Sequence, residues 1–228
     1  MRSNGDGKPV VALDIDGTLG DYHTNFLTFA DMYFQSGCGS WVELSKRMDN
    51  PGLPLWEWMG ISQRDYRDAK LAYRQGGWKR WMPCYPMAAD LTSFIREQGA
   101  EVWLCTTRPY LRLDNVDPDT REWLRRNRIQ YDALLFDPMH DEDGTKYDEL
   151  FRQAGSRVAS IVDDLPEMII AAEYAATGQQ GYPGRQVTPI LREQPYNGTF
   201  AWDRRAKDLR QVLEMVMADL GVWRGYNA

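Results

Sequence analysis

Apolar positions along the chain fall into short runs whose period changes. The first run, Val10-Val11-Ala12-Leu13, continues through Asp14-Ile15-Asp16 to Gly17-Thr18. Its β-branched, unbroken character predicts a buried strand, and Gly17 predicts the turn that ends it. The spacing then becomes helical. Residues 24–35 and 62–75 carry aromatics and leucines at helix spacing, the second with Tyr66, Ala69, Leu71 and Tyr73. A link rich in proline and tryptophan, 50–58, joins the two. No strand is predicted over 21–86, which reads as a helical insert.

From residue 87 onward strands and helices alternate. The pattern predicts a helix over 87–98 stopped by Gly99, then a strand over Glu101–Thr106. Asp117 as N-cap, with Pro118 at the first position, opens a helix running to about Asn127. A strand over Ala133–Phe136, a helix over Lys146–Ala154, a strand over 157–162 and a helix from Pro166 follow. A strand over 186–191 and a helix over 203–220 close the chain, and the glycine-rich stretch 177–184 reads as an ordinary connection. Such alternation predicts an α/β protein, a Rossmann-like parallel sheet flanked by helices. Residues 1–20 and 87–228 would form the core, with 21–86 inserted after the first strand.

Composition narrows the class. A chain of 228 residues, 43% hydrophobic, can bury one core and a small second lobe. No apolar run approaches the ~20 residues that span a bilayer. The polar stretch 1–8 reads as neither signal peptide nor anchor. Three cysteines (Cys38, Cys84, Cys105) and two histidines (His23, His140) show no zinc spacing. A reduced, cytoplasmic setting is expected, with both histidines solvated or structural. The net charge of −6 gives no general attraction to nucleic acid, so an anionic substrate must be held by local cations. Five of the nine tryptophans lie between residues 41 and 81.

Four stations of polar residues fall at predicted strand exits or just before a helix. Asp14 and Asp16, two apart on a strand, start on one side of it. Thr106-Thr107-Arg108 follows the second strand, Lys146 follows the loop 137–145, and Asp163-Asp164 follows the run 157–162, with Glu167 one helical turn on. In a parallel sheet these exits share one edge, where open α/β sheets place their sites. Like charges brought together there need a cation or a shared proton. Carboxylates, a hydroxyl and one or two cations suit phosphoryl transfer, which depends on charge neutralisation and positioning. Each station also has a plainer reading. Lys146 can be a solvated lysine at a helix start, the threonines β-formers, Asp163-Asp164 a helix cap and Glu167 a surface residue.

The order DxDGT, strand ending in Thr, Lys, strand ending in Asp-Asp resembles the haloacid dehalogenase-like (HAD) hydrolase superfamily. The resemblance covers the chain apart from the insert, which is similar to that superfamily's helical cap. It implies a Mg²⁺-dependent phosphatase with Asp14 as the nucleophile that forms an aspartyl-phosphate and Asp16 as general acid and base. It further implies that Thr106 binds a phosphoryl oxygen and that Lys146 neutralises nucleophile and phosphate. The metal site would comprise Asp14, the Asp16 carbonyl, Asp163 and Asp164, with the direct ligand of the last two left open. A dehalogenase resembling this family would lack Asp16.

Two subfamilies share features with the chain. The run from Gly77 to Ala88 and the segment from Pro189 to Asn197 resemble the 5′(3′)-deoxyribonucleotidase group, implying a (deoxy)nucleoside monophosphate as substrate. Thr107-Arg108, Thr120-Arg121-Glu122-Trp123 and Asp163-Asp164-Leu165-Pro166 are similar to the phosphatase module of polynucleotide kinase-phosphatases, implying a nucleic-acid 3′ end and a contact from Arg108 to its phosphate. An inactive binding module with the same fold is the non-enzyme alternative. Trp56, Trp58, Trp78 and Trp81 can stack a base or form the insert's own core, and Trp78 and Trp81 are candidate substrate contacts. Arg64, Arg67 and Lys70, at three-residue spacing, read as a solvated face paired with Asp65 and Asp68, or as a phosphate track.

Overall fold

The computed structural model describes residues 7–35, 41, 55–109, 113–136, 145–178 and 187–227. Six parallel strands form one sheet in the order β3-β2-β1-β4-β5-β6. They are β1 (Val10–Leu13), β2 (Glu101–Thr106), β3 (Ala133–Phe136), β4 (Val158–Asp163), β5 (Ile190–Arg192) and β6 (Arg205–Ala206). Order reverses at β1, which pairs with β2 on one side and with β4 on the other. That reversal is the point where doubly wound sheets leave a crevice beyond the strand carboxyl ends.

Strand alternation sorts the core into two layers. Val11 and Leu13 face one side, where helices α4 (Ala88–Glu97), α5 (Val116–Arg126) and α8 (Leu209–Asn227) supply Leu91, Ile95, Trp123, Val212 and Val216. Val10 and Ala12 face the other, against Tyr147, Leu150 and Phe151 of α6 (Lys146–Ala154) and Ala172 of α7 (Pro166–Gly178). Burial on both faces explains why these strands read as unbroken apolar runs.

The described part of 21–86 is helical, with no named strand. Helices α1 (Tyr22–Tyr33), α2 (Leu55–Trp58) and α3 (Gln63–Gln75) enclose their own cluster of Phe26, Leu27, Phe29, Met59, Ala69 and Tyr73. Asp21 caps α1 by accepting from the Thr24 N–H, and Ser62 caps α3 by accepting from Asp65 N–H. The chain returns through the 3₁₀ turn Trp78–Trp81, where Arg80 pairs with Asp119 of α5 at 2.7 Å.

Several expectations need correction. Helix α1 starts at Tyr22, because Asp21 supplies a cap upstream of Thr24. Helix α5 starts at Val116, so Asp117 is a first-turn residue paired with Arg121 rather than the cap. The last helix starts at Leu209, because Arg205 and Ala206 are drawn into the sheet beside β5. Cys38, His140, the link 50–54, the loop 137–144 and the stretch 179–186 lie outside the described residues.

Candidate active site

Asp14 ends β1, its N–H held by Val162 O at 3.0 Å, so the carboxylate emerges at the crevice. Lys146, the first residue of α6, reaches across to it. The helix start is fixed by a capping box in which the Thr145 side chain accepts from Tyr147 N–H and Asp148 accepts from Thr145 N–H. Lys146 Nζ lies 2.5 Å from Asp14 Oδ1, 2.7 Å from Asp163 Oδ2 and 3.2 Å from Cys105 O. Buried and flanked by two carboxylates, it is not a solvated helix-start lysine. Burial opposes its charge, but Asp14 and Asp163 outweigh burial and raise its pKa.

Ligand atoms of Asp14, Asp163 and Asp164 all lie within 4.8 Å of one another. Asp163 is fully buried and accepts from Tyr147 Oη at 2.5 Å and Leu165 N–H at 2.9 Å. Asp164 faces the cavity; its carboxylate accepts from the hydroxyls of Thr18 (3.2 Å) and Tyr196, and its carbonyl from Asn197 Nδ2 (2.7 Å). Burial, reinforced by the charges of Asp163 and Asp16 against the pull of Lys146, raises the Asp14 carboxyl to about 7. Burial, with Asp163 and Asp14 adding to it, raises Asp164 as well. Three buried carboxylates sharing one lysine form an under-neutralised set of hard oxygen donors. This set fits a divalent cation such as Mg²⁺.

Asp16 stands apart from that trio. Its carboxylate takes Arg108 as a two-point partner, Nε to Oδ2 at 2.9 Å and Nη2 to Oδ1 at 2.5 Å, and Lys79 Nζ also bonds Oδ2. Burial alone would raise its pKa, but Arg108 and Lys79 together hold it well below the usual carboxylate range. Arg108 also donates to Thr120 Oγ1 at 2.8 Å. Its guanidinium therefore reaches the site by way of Asp16. Thr106 is buried at the end of β2, its hydroxyl oxygen 3.4 Å from Arg108 N, and Thr107 lines the cavity.

A cavity of about 670 Å³ opens above these groups. The core contributes Asp14, Asp16, Thr107, Arg108, Asp164, Tyr196 and Phe200; the 21–86 segment contributes Tyr22, His23, Trp58, Tyr66, Lys70, Arg74 and Lys79. Glu167 also lines it. Trp78 and Trp81 do not. Trp78 turns into the insert's aromatic cluster, 5.3 Å from the Phe29 ring, and Trp81 is 62% exposed, under Arg126 at 3.8 Å. The aromatic that reaches the cavity from the run 56–58 is Trp58.

Sequence reasoning missed Lys79, Tyr147 and Tyr196, and assigned His23 to a solvated or structural place. Lys79 sits between two tryptophans that drew attention to themselves. Tyr147 follows Lys146 directly, and a helix-start pair facing one strand exit was a legible signal.

No family model matches the sequence, and none of the curated proteins does. Solved structures do match. A predicted phosphatase from Clostridium acetobutylicum is similar over 92% of this chain and 99% of its own, at 14% identity and a TM-score of 0.59. A HAD-superfamily hydrolase of subfamily IA from Geobacter sulfurreducens covers 95% and is itself covered over 100%, at 15% identity and a TM-score of 0.56. The D,D-heptose 1,7-bisphosphate phosphatase of B. bronchiseptica, complexed with magnesium and phosphate, matches over 92% and 99%, at 13% identity and a TM-score of 0.51. The likeness is one of architecture: the chain has the α/β fold of the HAD-superfamily hydrolases and phosphatases.

Proposed function

We propose that this protein is a Mg²⁺-dependent phosphomonoesterase working through an aspartyl-phosphate on Asp14, with a (deoxy)nucleoside monophosphate as substrate and 21–86 as its cap. The observation that carries the reading is the convergence of Asp14, Lys146, Asp163 and Asp164, drawn from three sheet or helix termini, with Asp16 beside them under one cavity.

A divalent cation held by Asp14, Asp164 and the Asp16 carbonyl would keep Asp14 ionised and neutralise phosphoryl oxygens. Asp164 is the better placed direct ligand, because it lines the cavity while Asp163 is taken up by Tyr147, Lys146 and Leu165. An Asp14 oxygen attacks phosphorus; the ester P–O bond breaks as the Asp14 O–P bond forms. Asp16 passes a proton brought by the monoanionic phosphate ester to the leaving oxygen, then takes one from the water whose oxygen attacks phosphorus as the Asp14 O–P bond breaks, which releases phosphate and restores Asp14. In the free protein Arg108 and Lys79 keep that proton off Asp16. A substrate phosphate sharing those two cations loosens their hold. Lys146 stays on Asp14 throughout, and Thr106 and Thr107 border the phosphoryl position.

The aromatic wall of Tyr22, Trp58, Tyr66 and Phe200 supports a flat leaving group, and the volume lies within the roughly 300–1,000 Å³ typical of small-ligand pockets. The net charge of −6 favours a small ester over a nucleic-acid 3′ end. An inactive binding module would have no use for three strained carboxylates beside a lysine. Cys84 and Cys105 are free thiols, which supports a reducing, cytoplasmic setting. The test is phosphate release from a panel of phosphate esters with Mg²⁺. Release from mononucleotides that vanishes in Asp14→Asn is expected; release that survives Asp14→Asn overturns the reading.

A further inference from the structure

Helix α3 presents Tyr66, Lys70 and Arg74 to the cavity at four-residue spacing, one row along its axis, while Ala69 and Tyr73 turn into the cap's core. Arg64, at the exposed start of the helix, pairs with Asp68 instead. Of the expected charge-paired face of Arg64, Arg67 and Lys70, Lys70 thus turns to the cavity instead, beside Arg74. Lys70 Nζ lies 5.2 Å from the centroid of the Tyr66 ring. Among the described residues neither cation meets a carboxylate, and Arg74 Nε is buried with no hydrogen-bond partner. The other two cations of the cavity, Lys79 and Arg108, are paired with Asp16 in the free protein and face the phosphate at Asp14 rather than a second one.

Two positive side chains four apart on a helix repel each other. Half-burial, with Arg74 beside it, depresses the Lys70 ammonium to about 8. The arrangement costs stability, and the Tyr66 ring and the more distant charge of Asp16 offset that cost only in part, since Lys70 remains depressed. An anion lying between them would offset the rest. The transferred phosphoryl group does not need them, since Lys146 stands at the sheet edge beside Asp14, where Asp14 and Asp164 would hold a cation that neutralises it. Arginine and lysine together offer more donors than one carboxylate can accept, and suit a tetrahedral oxyanion.

We propose that Lys70 and Arg74 form an anion subsite in the cap for a second phosphate carried by the leaving group, which directs the enzyme toward nucleoside 3′,5′-bisphosphates. The inference rests on the phosphomonoesterase reading and adds to it the class of ester preferred. The bisphosphate spans the cavity, one phosphate at Asp14 and the other on α3, with its base against the aromatic wall.

The test compares kcat/KM for a nucleoside 3′,5′-bisphosphate with that for the corresponding 5′- and 3′-monophosphates, in Mg²⁺. A preference of about 10-fold or more for the bisphosphate is expected, the size of one charge-assisted hydrogen bond. In Lys70→Met/Arg74→Met the preference falls to about twofold or less, chiefly through KM, and Arg74→Lys restores part of it. Calorimetry without metal gives a second readout: Asp14→Asn binds the bisphosphate, and adding the double substitution weakens binding by about 10-fold or more. Thermal melting checks that the variants fold; if the double variant does not, Lys70→Gln alone carries the comparison. Wild-type protein active on monophosphates with no preference, or a preference that survives the double substitution, overturns the subsite alone. Protein inactive on every ester overturns the phosphomonoesterase reading. Dependence on Lys70 and Arg74 for 3′-phosphorylated oligonucleotides but not for bisphosphates makes them a strand track and also overturns the proposal.

Discussion

Replacing Gly17 by alanine puts the geometry of the site to a quantitative test. Gly17 turns the chain after β1 with φ +103, a conformation that side-chain-bearing residues rarely adopt. A Cβ there would stand 2.5 Å from Asp164 Cγ and 2.6 Å from Tyr196 Oη. Asp164 is not free to yield, because it is held by Thr18, Tyr196 and Asn197. Backbone strain of about 1–3 kcal/mol and overpacking of about 1–3 kcal/mol act together. Gly99 supplies the control: its φ is +77, and a Cβ there meets nothing within 4 Å. Gly99→Ala should therefore cost only the backbone share, about 1–2 kcal/mol. Urea denaturation of both variants, alongside phosphate release in Mg²⁺, measures the difference. Gly17→Ala should lose the larger stability, and turnover should fall because Asp164 is pushed out of the carboxylate cluster proposed to hold the cation. Equal stability losses, or a Gly17→Ala protein with wild-type turnover, would refute the claim that Asp164 closes tightly over this turn.

Lys146→Met leaves Asp14 and Asp163 buried without their cation, so stability should drop by about 3–5 kcal/mol in urea and recover in part with Mg²⁺; an unchanged midpoint without metal contradicts the pairing. Asp16→Asn should lower turnover on alkyl phosphates far more than Mg²⁺ binding measured by calorimetry, and a wild-type rate would remove Asp16 from acid–base duty. Lys70, with its pKa depressed to about 8, is protonated below that value and loses its charge above it. The preference for bisphosphate over monophosphate should accordingly shrink between pH 7 and pH 9 in a kcat/KM profile, and a flat ratio speaks against it. Trp58→Ala should alter selectivity among bases, whereas Trp81→Ala, exposed and stacked under Arg126, should leave it unaltered. The reverse pattern would return the stacking role to Trp81.

The sheet and the carboxylate stations were readable because their signals are local. A β-branched run ended by Asp-x-Asp-Gly, or a strand followed by Asp-Asp and Pro, needs no knowledge of the rest of the chain. Lys146 was readable because the strand order carries its helix start to the same edge. The partners of Asp16 were harder, since Arg108 and Lys79 are 92 and 63 residues away and only packing brings them together. Tryptophans misled for a related reason. Periodicity puts Trp58, Trp78 and Trp81 on short helical turns, but which side of each turn meets the cavity is decided by tertiary contacts. Strand β6 escaped because two residues, Arg205 and Ala206, carry no apolar run of their own.

The central position of β1 has a consequence for how the molecule comes into being. Its neighbour β4 is synthesised about 150 residues later, and two of the residues that fasten Asp164, Tyr196 and Asn197, come later still. A ribosome-bound chain that ends before β4 would expose the edge of its first strand, with Asp14 awaiting Asp163 and Asp164. Assembly of this carboxylate cluster is therefore a late, long-range event that sets a slow pace for folding. Shortening the protein from its carboxyl end should first strip Val212, Val216 and Leu220 from the core layer of Val11 and Leu13, and so loosen the sheet before the cut reaches Phe200 at the cavity.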